Sequence, residues 1–317
     1  MPATKRRKQA PMEWSANFDN RSDLERIVKA VREMGMPNVT MSFKKQDDFE
    51  GMRSEVKNSS LTCLLRVQLE CEVLDANNPL RDHVVTVACD SFLGVLRGSG
   101  KPQFRLQLAQ YEGDTSLIVK SFDTFDRSFT SSTTLQTMVE DETEPLPLNE
   151  LSFQWLLRMD LNFFKSLIKN NKDLGCETVD ISILESVGME TALSVVRFVC
   201  ETTNISDTKE LVSLAPVSSE DGHKLLDMHE EHVELLEVPE EDQLERKMHM
   251  KLDLSLLYQF VKSMDQRGKL KMMMNEDDFL LFKIDMATEN SFIYYLQCSK
   301  VGSDDEDDED DEDDEDN

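Results

Sequence analysis

Residues 24–43 read LERIVKAVREMGMPNVTMSF, and this stretch decides the fold class. In its first half the apolar residues recur every three or four positions: Leu24, Ile27, Val28, Val31 and Met34. This spacing predicts an amphipathic helix. Gly35 and Pro37 end the helix. Val39, Met41 and Phe43 then alternate with polar residues, as the residues of a half-buried strand do.

The same unit of helix, turn and strand recurs three more times. The apolar stripes of the later helices begin at Phe92, Leu161 and Leu254, and Asp160 is placed to cap the third. Further alternating runs predict strands at 65–73, 115–122, 153–159, 194–200, 279–286 and 291–296. The predicted strands outnumber the helices and do not alternate strictly with them. This pattern indicates an α+β architecture, in which a layer of helices packs on antiparallel sheets.

Changes in composition divide the chain into two similar halves. Ser, Thr, acids and prolines crowd residues 126–150, which predicts an interdomain connector, and residues 204–246 read as a loop with one acidic helix or strand. The predicted parts are a flexible basic arm (1–12), a first domain (13–125), the connector (126–150), a second domain (151–302) and an acidic disordered tail (303–317).

The net charge of -28 hides a second pattern. Thirteen acids fill 304–316, and every predicted helix presents basic residues away from its apolar stripe. The basic residues are Arg26, Lys29, Arg32, Arg97, Lys101, Lys165, Lys169, Lys172 and Lys262. One such residue alone belongs to a solvated helix face, but recurrence on four helices is the clustering that a phosphate-binding surface needs.

Several classes of function are disfavoured. The apolar runs are too short for a membrane helix, so we expect a soluble intracellular protein without membrane contacts. The six cysteines are scattered, as reduced core residues are. A glycine-rich phosphate loop and a nucleophile elbow are missing, and His229 and His232 lack the spacing and third ligand of a zinc site. We therefore expect no enzyme activity, no cofactor and no bound metal.

Two longer stretches carry a family resemblance. Residues 144–159 read EPLPLNELSFQWLLRM, and residues 248–300 contain Phe260, Lys262 and the pair Tyr294-Tyr295. In order and spacing they resemble the connector and the closing strands of the sliding clamps of the proliferating cell nuclear antigen type. Gln297-Cys298 departs from the family's Ala-Pro, and Ser255 replaces a basic residue of the fourth helix.

The resemblance implies a DNA clamp fold of two pseudo-repeated domains and a homotrimeric ring. It implies that the nine basic residues contact double-stranded DNA without reading its sequence, and that a clamp loader, a DNA polymerase and other clamp-binding-motif proteins are partners. Met41, Leu146, Leu148 and Tyr295 would line the partner-peptide pocket. Strands at 115–122 and 189–196 would pair across subunits. The expected location is the nucleus or a viral replication site.

Three alternatives remain open at this point. A subunit of a checkpoint-type heterotrimeric clamp shares the fold and is expected to be a monomer on its own. An open viral processivity factor shares the fold without closing a ring. An acidic histone-chaperone-like scaffold fits the tail and the net charge but leaves the four basic helices unexplained.

Overall fold

The computed structural model describes most of the chain between residues 11 and 300. The described ranges are 11–19, 21–46, 49–58, 60, 62–75, 82–98, 105–111, 115–123, 129–139, 145–148, 151–188, 193–203, 206–214, 217–218, 224–228, 240–264, 268–275, 279–286 and 290–300. Most of the basic arm, the whole acidic tail, Lys101, His229 and His232 therefore lie outside the described residues.

Four α-helices occur in the described ranges, one for each predicted unit. They are α1 (Arg21–Glu33), α2 (Cys89–Gly98), α3 (Leu161–Asp173) and α4 (Leu254–Ser263). The predicted stripe of α1 is completely buried at Leu24, Ile27, Val28 and Val31. Each such side chain contributes about 1.5–3 kcal/mol through burial, so packing of this one face is what holds a short helix in place.

The helix ends repeat the same local chemistry. Asp160 caps α3 by accepting hydrogen bonds from the backbone N–H groups of Asn162 and Phe163, which confirms the predicted cap, and Asp253 caps α4 in the same way. After α1 and α3 the chain turns at Gly35 and Gly175, whose φ angles are 81° and 85°. Glycine adopts these left-handed conformations without strain, so the chain can turn out of each helix two residues after its end.

Nineteen strands occur in the described ranges. In chain order they are β1 (Met12–Phe18), β2 (Asn38–Gln46), β3 (Phe49–Lys57), β4 (Cys63–Glu70), β5 (Glu72–Asp75), β6 (His83–Ala88), β7 (Arg105–Tyr111), β8 (Ser116–Phe122), β9 (Phe129–Gln136), β10 (Trp155–Asp160), β11 (Thr178–Ser186), β12 (Leu193–Glu201), β13 (Ser206–Leu214), β14 (Val217–Ser218), β15 (Lys224–Met228), β16 (Leu244–Asp253), β17 (Lys269–Met274), β18 (Phe279–Asp285) and β19 (Phe292–Cys298).

These strands form three sheets. The first has the order β5-β1-β7-β8-β9, and the second has the order β13-β12-β11-β16. The third is a ten-stranded sheet in the order β14-β15-β10-β17-β18-β19-β4-β3-β2-β6. The large sheet contains strands from both halves of the chain, joined where β19 pairs antiparallel with β4. The two halves are therefore held together by a continuous row of main-chain hydrogen bonds.

The strand order repeats between the halves. The sheet β5-β1-β7-β8-β9 corresponds to β15-β10-β17-β18-β19, and β6-β2-β3-β4 corresponds to β16-β11-β12-β13. One difference is that β5 runs antiparallel to β1 whereas β15 runs parallel to β10. Under this repeat the joined strands β19 and β4 have β9 and β13 as counterparts, and each of these is the last strand of its sheet in the described residues.

The strands that were expected to pair between subunits are not free to do so. The predicted segments 115–122 and 189–196 fall on β8 and β12, and each of these strands already has partners on both sides. A strand paired on both sides has no backbone groups left for another chain. The edges available are instead β9 and β13. Both are polar, with Ser131, Ser132 and Thr133 in β9, and this polarity made them read as linker or loop.

The connector is shorter than its predicted range of 126–150. Residues 129–136 form β9, which pairs with β8 as part of the first domain's sheet. Met138 then donates a backbone hydrogen bond to Thr86 O at 2.9 Å. The stretch 204–246 likewise contains β13, β14, β15 and the start of β16 instead of a single element.

The helices form one layer against the sheets. Helix α1 packs on α2, α3 packs on α4, and α1 also contacts α4 across the two halves. One apolar cluster runs through both halves, from Trp14 to Tyr295, whose ring stacks on Phe260 with centroids 4.2 Å apart. The predicted α+β layer architecture is thereby confirmed. Within the described residues no helix is long and apolar enough to cross a membrane.

Candidate functional site

The exposed side of α1 and α2 holds four of the predicted DNA-contacting residues. Arg26 pairs with Asp23 at 3.1 Å, Arg32 with Asp90 at 2.7 Å and Arg97 with Glu25 at 3.2 Å. Lys29 is half-buried on α1 and has no carboxylate within 4.0 Å in the part of the chain that the structure describes. The cations of the first half are therefore largely neutralised by acids of the same two helices.

The exposed side of α3 and α4 is different. These two helices run antiparallel, since Lys172 Nζ at the end of α3 donates to Ser255 Oγ at 2.7 Å and Lys165 Nζ donates to Met264 O at 2.7 Å. Between them lies an open groove of about 640 Å³, called here the α3–α4 groove. Its lining residues are Asn162, Lys165, Ser166, Lys169, Tyr258, Val261 and Lys262. The structure thus brings three of the predicted cations to one groove, with Lys172 at its end.

The charge of the helix layer is concentrated in the second half. Helices α1 and α2 contain five basic and four acidic residues, whereas α3 and α4 contain four lysines and one acid, Asp173. Lys169 is exposed and has no carboxylate within 4.0 Å among the described residues, and Lys262 reaches Glu33 of α1 only at 3.7 Å. An exposed lysine can bind a phosphate group as a point charge without reading bases.

The connector crosses the sheet face opposite the helices. The backbone N–H of Leu146 donates to Glu55 Oε1 at 3.1 Å, and Arg66 donates to the carbonyl oxygen of Leu146. Arg66 also pairs with Glu55, its neighbour across β3 and β4. Two side chains thereby satisfy both backbone groups of Leu146, in place of a neighbouring strand.

The following connector residues rest on an apolar patch. Leu148 is buried against Leu64 and Leu281, and Leu151, Phe153, Met273, Tyr294 and Leu296 pack around them. We call these eight residues the connector cluster. Leu146 remains 36% exposed beside it. A patch of exposed and half-buried apolar side chains next to a backbone segment is suited to docking a short peptide.

Two residues that were predicted to line the pocket, Met41 and Tyr295, lie instead in the main core. Met41 and Tyr295 are both 0% exposed in the main core, and the Tyr295 hydroxyl is hydrogen-bonded to Gln297 at 2.9 Å. Successive side chains of a strand point to opposite faces, so Tyr294 and Leu296 are the β19 residues that reach the connector. Tyr294 rather than Tyr295 therefore faces the connector, and the buried Met41 does not reach this surface.

Sequence reasoning missed Glu55, Arg66, Tyr294 and Leu281 as parts of this surface. Arg66 and Lys283 lie directly opposite Tyr294 on the two neighbouring strands, and Lys283 lies 5.6 Å from the tyrosine ring centroid. Alternation along β19 could have assigned Tyr294 to the polar face, because Ile293 and Tyr295 share the other face. The pairing of strands from different halves carried no signal in the sequence.

The six cysteine thiols have low nucleophilic reactivity. Burial raises the pKa of all six cysteines, that of Cys63 to about 11 and that of Cys200 to about 12. Because the thiolate is the reactive form, these groups are poor nucleophiles near neutral pH. Among the described residues no three His, Cys, Asp or Glu side chains are grouped to hold a metal ion.

Comparisons with known proteins identify the fold. No family model matches the sequence, and no curated protein matches it. The structure is similar to the PCNA2-PCNA3 complex from Sulfolobus tokodaii, with a TM-score of 0.63 and 13% identity over 91% of this chain and 100% of that one. It is also similar to the proliferating cellular nuclear antigen from Entamoeba histolytica, with a TM-score of 0.65 and 12% identity over 92% of this chain and 100% of that one.

These similarities confirm the sequence-based recognition of a divergent clamp at the level of fold. The match covers both halves of the chain and the whole of each clamp chain. At this identity a shared structure establishes architecture and leaves function to be argued from the site.

Proposed function

We propose that this chain is a DNA sliding clamp, a non-enzymatic ring of three identical subunits that encircles duplex DNA and acts as a processivity factor. One observation carries the proposal: β9 and β13 are the unpaired counterparts of β19 and β4, which already pair within the chain. Repeating the same junction between chains joins β9 of one subunit to β13 of the next. Such head-to-tail contacts close into a ring when the rotation permits, and we propose that three subunits complete it.

In this ring the helix layer lines the hole. The lysines of the α3–α4 groove meet phosphates from several directions, and three subunits repeat the arrangement around the duplex. Such contacts are independent of sequence, so the ring moves along DNA. The acidic remainder of the chain repels DNA elsewhere and directs it to the hole.

The opposite face serves partner proteins. We propose that a peptide carrying apolar and aromatic residues docks beside the connector, against Leu146, Tyr294 and Leu296. DNA polymerase and other clamp-binding-motif proteins present such peptides, and a clamp loader opens the ring on DNA. We propose that the protein acts in the nucleus or at a viral replication site.

Two measurements test the ring. Light scattering of the purified chain is expected to give three times the 36.4 kDa of one subunit. After loading with a clamp loader, the protein is expected to stay on closed circular DNA through a high-salt wash and to leave when the circle is cut. A monomer at every concentration, or equal retention on cut and closed DNA, would sink the homotrimer.

A heteromeric clamp subunit is the second candidate, because the two kinds of junction differ in polarity. Strands β4 and β19 bury Leu65, Val67 and Tyr295, among others, whereas Leu135 is the one buried apolar residue among the described side chains of β9. A polar β9 brings little apolar surface to a junction with β13 of an identical chain, and such an edge is suited to a dedicated neighbour. This candidate predicts a monomer that gains mass only when clamp subunits with different edges are added.

A further inference from the structure

The point where the described chain ends lies next to the α3–α4 groove. Lys300 N donates to Lys251 O at 2.7 Å, Ser299 Oγ donates to the same oxygen at 3.1 Å, and Lys300 Nζ lies 3.9 Å from Asp253. Asp253 is the N-cap of α4. Lys300, the last described residue, therefore lies at the N-terminal end of α4, where Lys172 contacts Ser255.

Cationic side chains follow α4 from this point. Lys172 lies at its first turn and Lys165 at Met264, and Lys169 and Lys262 line the groove between them. The rise of an α-helix separates Ser255 from Met264 by about 13 Å. The thirteen acids at 304–316 span up to roughly 43 Å when extended. After the three linking residues 301–303, the acidic run is long enough to cover the whole groove.

We propose that the acidic run 304–316 of each chain lies along the α3–α4 groove of the same chain when DNA is absent. Its carboxylates contact Lys165, Lys169, Lys172 and Lys262 in the positions that phosphates take. A tethered segment acts at millimolar effective concentration, so weak individual contacts are sufficient. The tail thereby competes with DNA and suppresses binding to duplexes that the ring does not encircle, a consequence that rests on the proposed function.

Charge complementarity favours this occupant and this groove. Helices α3 and α4 hold four lysines against one acid, whereas the cations of α1 and α2 face nearly as many acids on their own helices. An intramolecular polyanion therefore gains most from the second half, which is also where it leaves the fold. The contact is expected to weaken with salt, because both sides are exposed to solvent.

Zero-length carbodiimide cross-linking of the full chain without DNA tests the contact directly. Peptide mapping is expected to join acids of 304–316 to the groove lysines and to leave Lys271 and Lys283, on the opposite sheet face, nearly free of tail adducts. Duplex DNA or high salt is expected to remove the adducts. Adducts spread evenly over both faces, or groove adducts found only between differently isotope-labelled chains, would overturn the proposal.

A variant in which every Asp of 304–316 is Asn and every Glu is Gln supplies the functional readout. It is expected to bind short linear duplex with a Kd at least about threefold lower than the natural chain. Adding Lys169→Gln to both the natural chain and the tail variant separates docking in the groove from general repulsion between the tail and DNA. Docking predicts that the ratio of the two Kd values shrinks with Lys169→Gln and stays the same with the matched Lys283→Gln. An unchanged ratio in both overturns docking.

The two failures are distinguishable. If the chain forms no ring, its mass and its retention on circular DNA fail while the cross-links persist. If the tail does not dock, the cross-links fail while the ring persists.

Discussion

Arg66 Nε donates to Glu55 Oε2 at 2.7 Å, and the same two side chains hold both backbone polar groups of Leu146. An ion pair between neighbouring strands thus serves as the anchor of a segment eighty residues away from Arg66. The side chains are 19% and 13% exposed, so the pair is shielded from solvent more than a surface salt bridge is.

Removing one partner of this anchor is expected to release the connector. Glu55→Gln keeps the shape but loses the charge that orients Arg66, so the Leu146 amide is expected to exchange with deuterium at least about tenfold faster, which corresponds to about 1.4 kcal/mol. The control is Glu70→Gln, on β4 away from the connector. Equal protection of Leu146 in the natural chain and Glu55→Gln would contradict the anchor.

Partner peptides are expected to distinguish the two tyrosines of β19. Tyr294→Ala removes a ring from the connector cluster, and the affinity for a clamp-binding peptide is expected to fall at least about tenfold. Tyr295→Phe removes only a buried hydroxyl and its bond to Gln297, at a cost of about 1 kcal/mol of stability with unchanged peptide affinity. Calorimetric titration and urea unfolding measure the two effects. Loss of peptide affinity in Tyr295→Phe, with unchanged affinity in Tyr294→Ala, would show that Tyr295 and not Tyr294 contacts the peptide.

Leu146 and Leu148 are expected to differ in kind. Leu148→Ala opens a cavity between Leu64 and Leu281 and is expected to lower the free energy of unfolding by about 2–3 kcal/mol. Leu146→Ala, at a position 36% exposed, is expected to change stability by less than about 1 kcal/mol while weakening peptide binding. Equal loss of stability in the two variants would show that Leu146 only pins the connector.

The affinity for double-stranded DNA is expected to depend more on the lysines of α3 and α4 than on the basic residues of α1 and α2. Lys165→Gln with Lys169→Gln is expected to weaken binding equally for all sequences and to reduce the slope of log affinity against log salt by about 2. Arg97→Gln, whose guanidinium is already paired with Glu25, is expected to change the slope by less than about 1. Lys283→Gln is the matched control on the outer face. Equal slopes for all three would remove the groove from the interface.

Proline substitutions along β9 are expected to separate folding from assembly. Ser132 and Thr133 are adjacent, so one N–H is directed to β8 and the other to the open edge. Ser132→Pro and Thr133→Pro should therefore behave differently: one loses stability, and the other keeps its thermal midpoint while the mass falls from three chains to one. Two stable trimers would exclude β9 from the junction.

Acid is expected to weaken the charged network on the outer face. Burial raises the pKa of Asp285, but hydrogen bonds and charge from Lys271 and Lys283 lower it further, and the folded pKa lies below the ordinary value. Such a carboxylate stabilises the fold above its unfolded pKa, near about 4, and the contribution is lost as pH falls through the folded pKa. Asp285→Asn is expected to cost less than about 1 kcal/mol at neutral pH, because the side chain is half exposed, and nothing in strong acid. A difference independent of pH in urea unfolding would contradict this.

The sequence by itself determined the elements whose signal is local. Helix periodicity, the Asp160 cap and the Gly35 turn depend on residues within a few positions of each other, so all four helices and most core strands were predictable. The recurrence of the unit and the basic helix faces followed from the same local patterns. The order of several weak matches was enough to recognise the clamp fold.

Only the tertiary structure decided which strands are edges and which side chains share a face. A polar strand such as β9 resembles a linker in sequence, because its partner β8 is known only after the sheet forms. The exchange of Tyr295 for Tyr294 at the connector follows from the direction in which β19 presents its faces. The Glu55–Arg66 anchor, the α3–α4 groove and the position of Lys300 beside α4 join residues far apart in the chain. Local patterns do not encode such distances, since they are set by the packing of the whole sheet.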